Sequence, residues 1–227
     1  MAASSGTAYA VSAPSGYLSS GATLREQFSS PVGREAWAPV IGVTGTWGTL
    51  AVSGRAAWFG TSTQLWTTAD GLHWNRYPFH CPGTDYSLAS IAAASSSYVV
   101  FFCTGPGAAG NMSKEVLSSA SGGKTVVLAG QAPLAGVGGT IAVPPSRSIV
   151  VTLATASSAS WLDRSNDGGK TWFVEEVKGS GGGPPLSSLS YVSRTVGWVV
   201  LGEPGQGSVN QLLRTRDAGV TWNKVSF

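Results

Sequence analysis

The chain has 227 residues, 42% of them hydrophobic and only 11% charged, with 31 Gly, 12 Pro and nine Trp. That composition excludes a disordered chain, which is poor in aromatics and rich in charge, and a net charge of +3 is too small and too scattered for a nucleic-acid footprint. No apolar run reaches the 18 residues a membrane helix needs, and the apolar segments are rich in Gly, Ser, Thr and β-branched residues, so an all-β fold with many turns is expected.

In chain order, Met1-Ala-Ala-Ser-Ser-Gly6 has neither the basic stretch nor the apolar core of a signal peptide. Either the protein is cytosolic or Met1 opens a truncated reading frame. The low charge and the Ser/Thr/Gly-rich, Trp-rich make-up suit an exported bacterial protein, extracellular or in the cell envelope. The first strands expected are at 8–11, then at 48–52, 57–59, 64–66 and 74–79. A third group follows at 88–91, 98–102, 115–117 and 125–128. A fourth lies at 139–143, 149–153, 161–162 and 172–177, and a fifth at 189–192, 196–201, 211–213 and 222–227.

Two octets between the last strands of their groups are nearly identical: Ser165-Asn-Asp167-Gly-Gly169-Lys-Thr171-Trp172 and Thr215-Arg-Asp217-Ala-Gly219-Val-Thr221-Trp222. Both read S/T-x-D-x-G-x-T-W. Weaker copies are Ser119 to Val126, keeping Ser119, Gly123 and Thr125, and Thr67 to Trp74, keeping Thr67, Gly71 and Trp74 with Asp70 displaced by one. Tyr17 to Leu24 keeps Gly21 and Thr23. The octets start at 17, 67, 119, 165 and 215, a steady interval. Each reads as a hairpin turn. The fifth-position Gly supplies a positive φ, the Asp accepts hydrogen bonds from turn N–H groups, and the Trp fills space between neighbouring sheets.

Four strands per unit of ~45 residues, here A to D with the octet as the C–D turn, define a β-propeller blade. The chain divides into five blades near 1–33, 34–80, 81–131, 132–179 and 180–227, forming a single domain. The first blade lacks an A strand on this reading. The chain is then either a five-bladed ring with one three-stranded blade or part of a longer propeller.

The octet resembles the Asp-box, or BNR repeat, of the sialidase superfamily, sortilin-type receptors and some xyloglucanases. The last two units, with 196–201 leading into Asp217 and Trp222, most resemble the photosystem II assembly-factor-like, glycosyl hydrolase-like propellers of bacteria. The resemblance implies a propeller fold over nearly the whole chain. It does not imply an activity, because the Asp-box in these families is structural and lies away from the active site.

In a propeller the A–B and C–D turns share one face, and the B–C and D–A connections share the other. Enzymes of the resembled families work on the second face, which here carries 78–86, 104–115, 178–187 and 202–210. The sialidase Phe/Tyr-Arg-Ile-Pro signature is absent, and Arg34 is the chief arginine expected there. A glycosidase needs two facing carboxylates. Glu35, Asp85, Glu115 and Glu203 are the candidates, one per loop, with nothing in the sequence to pair them. Glu175 and Glu176 are adjacent on a strand and point to opposite sides. On the first face, Arg55, Arg147 and Arg194 each end an A–B turn. Together they form a partial basic ring able to hold an acidic partner, unless each guanidinium stacks on an aromatic or caps its turn.

Two cysteines, Cys81 and Cys103, lack C-x-x-C spacing and are either buried thiols or one disulfide between neighbouring β elements, which would suit export. His80 beside Cys81 reads as a loop histidine in preference to a metal ligand or a Cys–His dyad. No metal and no cofactor is expected. The reading favoured is a non-catalytic exported propeller that binds a protein or carbohydrate, with a sialidase-like or other glycoside hydrolase, whole or a fragment of a larger enzyme, as the alternative.

Overall fold

A computed structural model describes residues 2–4, 7–12, 23–24, 26–31, 38–41, 45–46, 48–156, 159–177, 186–201 and 211–226, the part before residue 48 by its backbone alone. No helix occurs among them. The strands of the first fifth are β1 (Ala2–Ser4), β2 (Thr7–Ser12), β3 (Thr23–Leu24), β4 (Glu26–Pro31), β5 (Ala38–Ile41) and β6 (Gly45–Thr46). Next come β7 (Thr49–Ser53), β8 (Ala56–Gly60), β9 (Gln64–Thr68) and β10 (Trp74–Pro78). They are followed by β11 (Ser87–Ala93), β12 (Val99–Ala108), β13 (Asn111–Ser119) and β14 (Val127–Gln131). The last two groups are β15 (Val137–Ala142), β16 (Val150–Ala156), β17 (Ala159–Ser165), β18 (Phe173–Val177), and β19 (Leu186–Tyr191), β20 (Gly197–Leu201), β21 (Gln211–Thr215), β22 (Asn223–Lys224).

Among the described residues these strands form five four-stranded antiparallel sheets, each in chain order, and β3 pairs with β6. The first strands β1, β7, β11, β15 and β19 neighbour one another in that sequence, so the sheets fan out as blades. The architecture is the expected all-β propeller of four-stranded blades.

Three expectations need correction. The first blade does have an opening strand: β1 pairs Ala2 with Tyr9 and Ser4 with Thr7. Its three small residues carry no apolar alternation, so they read as a tail. The octet at 17–24 lies between the second and third strands of its sheet, not between the third and fourth, and its Thr23 pairs with Thr46. Gly21 lies outside the described residues. The first blade therefore extends to Ile41 and not to 33. Finally, 104–115 is no loop. β12 and β13 continue pairing to Ala108 and Asn111, closed by Ala109 and Gly110 at φ of 51° and 80°. Two consecutive positive φ values are what a tight two-residue hairpin requires. The Gly-Pro-Gly run hides it in the sequence.

The core sits in the seams between blades. In β12, alternate residues feed opposite seams, which is why 98–103 reads as one unbroken apolar run. Val99, Phe101 and Cys103 join Trp58, Leu65 and Leu117 between the second and third blades. Tyr98, Val100 and Phe102 join Val116, Ile141, Val143 and Val150 between the third and fourth. Val151 and Leu162 meet Leu189, Val199 and Leu213 between the fourth and fifth. Each such side chain, fully buried, contributes about 1.5–3 kcal/mol. A disulfide between Cys81, just after β10, and Cys103 in β12 ties the second blade to the third, with Cα atoms 5.8 Å apart. No free cysteine remains, so no Cys–His dyad forms at His80.

Candidate functional site

Strand ends place two kinds of turn side by side. In the fourth blade's corner, the Ser165 hydroxyl accepts from the Gly169 N–H (2.8 Å) and donates to Asp167 Oδ1 (2.8 Å). Asp167 Oδ1 accepts from the Lys170 and Thr171 N–H groups, and Oδ2 from the Thr171 hydroxyl (2.6 Å). Thr215, Asp217, Gly219 and Thr221 repeat the pattern in the fifth blade. In the third, Ser121 stands in for Asp and accepts from the Thr125 N–H (2.9 Å), while Ser119 accepts from Gly123 (2.9 Å).

The second corner is one residue shorter than the sequence alignment implied. Thr68, not Thr67, caps it, accepting from the Gly71 N–H (2.8 Å), and Asp70 accepts from Leu72 and His73. Thr67 points the other way, toward Gly123 of the third blade. The tryptophans pack beside their corners. Trp74 lies against Phe59 and Trp66, Trp172 joins the third–fourth seam, and Trp222 meets Tyr191 edge-on.

The carboxylates in these corners are committed. Hydrogen bonds from the Thr171 hydroxyl and amide and from Ser165 hold Asp167 far below the usual carboxylate range, and His73 does the same for Asp70. Burial pushes Asp217 up, but hydrogen bonds from Thr221 and Thr215 outweigh it and leave its carboxyl at about 2.

The third, fourth and fifth corners are each fastened to their own blade's A–B turn. The N–H groups of Gly122, Gly168 and Ala218 donate to the carbonyls of Ser97, Ser148 and Thr195, at 2.8, 2.8 and 2.9 Å. The arginine-bearing turns therefore stand on the corner face. A serine organises three of these turns: Ser95, Ser146 and Ser193 accept from backbone N–H groups two residues on. Arg147 and Arg194 directly follow two of them. Arg55 sits in a separate two-residue turn after Gly54, whose φ is 60°.

The structure brings two of the three arginines together. Arg147 and Arg194 open onto one recess of about 250 Å³ that Ser95 and Ser146 also line. Arg147 reaches across from the fourth blade to the third, its Nη2 3.4 Å from Ser97 Oγ and its guanidinium carbon 5.6 Å from the centre of the Tyr98 ring. It stacks, as the structural alternative anticipated, and also lines the recess. Arg55 is exposed in the second blade's turn and is not among the recess residues. Among the described residues the ion pair present is His73 with Asp70, so no carboxylate neutralises either recess arginine. Lys124, Lys170 and Arg216 add exposed cations on the corners.

On the opposite face only Asp85 and Glu115 of the expected acids are among the described residues. Glu35, Glu203 and Arg34 lie outside the described residues. Asp85 is exposed in the connection before β11. Glu115 is the cross-strand neighbour of Cys103, with Oε2 buried and its pKa raised by burial. A groove of about 320 Å³ at the β12–β13 tip is lined by Pro106, Met112, Leu134 and small or neutral polar residues, with no ionisable side chain. No group of three His, Cys, Asp or Glu able to hold a metal occurs among the described residues.

Sequence reasoning missed Lys114 and Asp163, both completely buried between the third and fourth blades. The only signal was a charged residue in a β pattern on a face whose neighbours are apolar.

No protein-family model matches the chain, and no curated protein matches it. Among solved structures, the Trypanosoma rangeli sialidase in complex with the inhibitor DANA superposes with a TM-score of 0.65 at 13% identity, over 99% of this chain and 47% of that one. The same sialidase with 2,3-difluoro-KDN gives a TM-score of 0.62 at 12% identity, over 94% and 45%. YCF48 bound to D1 peptide gives 0.43 at 14% identity, over 78% and 80%. The chain spans about half the length of the sialidases it matches. At these identities the likeness is one of fold, and it agrees with the blades built above: the chain is a β-propeller of the sialidase-like fold.

Proposed function

We propose that this chain is a non-catalytic, exported binding module that holds an anionic group of a protein or glycan on its corner face. The observation that supports this most is the convergence of Arg147 and Arg194, from successive blades, on one recess where no carboxylate among the described residues pairs with either. Two guanidiniums with no carboxylate partner among the described residues, set over hydroxyls, favour carboxylate, sulfate or phosphate groups. The disulfide favours an oxidising compartment.

The test is an array of sialylated and sulfated glycans together with acidic peptides, probed with the wild type and with the Arg147→Glu/Arg194→Glu variant. Binding by the wild type that falls at least tenfold in the variant supports the reading; equal binding by both contradicts it. Adding Arg55→Glu shows whether the second blade's turn contributes.

The sialidase-like fold supports a second reading, a glycoside hydrolase or part of one. It requires two carboxylates about 5–9.5 Å apart in the channel mouth. Turnover of a 4-methylumbelliferyl sialoside or xyloglucan oligosaccharide, lost on Asp85→Asn, Glu35→Gln or Glu203→Gln, would favour it over the binding module.

A further inference from the structure

Lys114 of β13 and Asp163 of β17 are the two charged side chains with no exposure among the described residues. Lys114 lies two residues before Val116, and Thr152 two after Val150, so both face the third–fourth seam that those valines fill. Asp163 is paired directly across from Thr152 and shares its face.

The Lys114 ammonium donates to the carbonyls of Pro133 (2.8 Å) and Ala135 (2.6 Å), in the connection from the third blade to the fourth. Both carboxyl oxygens of Asp163 and Oγ1 of Thr152 are buried without a hydrogen-bond partner among the described residues. Lysine and aspartate thus share one seam without forming an ion pair.

A carboxylate left in such a place has no donor, and its desolvation costs several kcal/mol unless it keeps its proton. Burial pushes Asp163 up to about 7 against the pull of Lys114, and burial pushes Lys114 down to about 8. The lysine has two sets of acceptors to choose between: two carbonyls while Asp163 is neutral, or the carboxylate once it ionises.

We propose that Lys114 and Asp163 form a proton-operated joint between the third and fourth blades. With Asp163 protonated, Lys114 pins the 132–136 connection and the seam is closed. When Asp163 ionises, its charge draws the ammonium away from Pro133 and Ala135, and the connection loosens.

The other groups facing this seam leave the switch to that pair. Tyr98 at the corner end has its phenol pKa raised by burial and stays neutral. Arg147 lies exposed at the same end, and Glu176, on the face of β18 that Asp163 shares by register, lies exposed at the outer rim. β15 and β16 bring Ile141 and Thr152 to it, and β12 brings Val100 and Phe102. Arg147 spans the same seam to Ser97, so the joint also sets the geometry of the recess, a consequence that rests on the binding reading above.

Hydrogen exchange read by mass spectrometry at pH 5.5 and 8.5, corrected for intrinsic exchange, tests the joint without any ligand. Peptides covering 111–119 and 130–137 should exchange about tenfold faster at the higher pH in the wild type and unchanged in Asp163→Asn. A flat wild-type response, or an equal rise in the variant, overturns the proposal. Should the variant not fold, carboxyl carbon NMR of the wild type decides: an aspartate titrating near neutrality supports the joint, and all five aspartates titrating below about pH 5 overturns it. Array binding at the two pH values reports separately on the recess, so its failure leaves the joint standing.

Discussion

The indole of Trp58 in the second blade donates to the carbonyl of Gly122 in the third blade's corner, at 2.9 Å. Arg164 of the fourth blade does the same to Ala218 in the fifth blade's corner, at 2.8 Å. The fourth position of the corner thus works in two directions. Its N–H holds the A–B turn of its own blade, and its C=O takes a donor from the blade before. The corner is a joint between blades as well as a turn within one.

The glycine next to it has two reasons to be glycine. Gly169 adopts φ of 104°, and a Cβ there would stand 3.3 Å from Cγ1 of Val116 in the preceding blade. A Cβ at Gly219 would meet Val151 of the preceding blade and the Tyr191 hydroxyl of its own, and one at Gly123 would meet Leu65 and Thr67 of the blade before. Gly169→Ala should cost about 1–3 kcal/mol in urea unfolding, more than a helix-surface change of the same kind.

Ala218 is one of two described non-glycine residues with positive φ, at 61°. The equivalent residues in the third and fourth corners are Gly122 and Gly168. Ala218→Gly should therefore stabilise the fold by up to about 1 kcal/mol, raising the urea midpoint without changing the slope. A lowered midpoint would show that the buried methyl matters more than the strain.

Ser165 is fully buried and accepts from Gly169 and Asp167. Ser165→Ala leaves the Gly169 N–H buried without an acceptor, so about 1–3 kcal/mol should be lost. Ser165→Thr should retain most of it, since Thr215 does the same work in the fifth blade.

The corner carboxylates set the acid side of stability. Asp167 and Asp217 titrate lower when folded than their ordinary value of 3.8. A depressed folded pKa contributes stability that is present above the unfolded value and disappears as pH falls through the folded one. Urea midpoints measured from pH 6 down to 2 should fall steeply in the wild type below about 4 and more shallowly in Asp167→Asn/Asp217→Asn. Parallel curves would contradict the assignment.

The last two corners were legible because Asp, Gly, Thr and Trp occur together at fixed spacing, and each residue answers a local need of the turn. The second corner was read one place early because Thr67 and Thr68 are both threonines, and their different hydrogen bonds and directions show only in the folded chain. The first was misplaced because Gly21 and Thr23 imitate the pattern in a different connection. What the sequence could not display is long-range. That Gly169 must admit Val116, that Trp58 reaches Gly122, and that Lys114 faces Asp163 all depend on how one blade lies on the next. The recess was half legible: the recurring arginines stood out, but their convergence depends on the fan of the blades, which joins Arg147 with Arg194 and leaves Arg55 apart.

Binding on the corner face is the role proposed for this chain. The most direct measurement is a backbone NMR titration of the labelled protein with an anionic glycan or peptide recovered from the array. Shifts concentrated at Ser95, Ser146, Arg147 and Arg194 are the result expected. Shifts confined to Asp85 and the Pro106–Ser113 tip on the opposite face would contradict it.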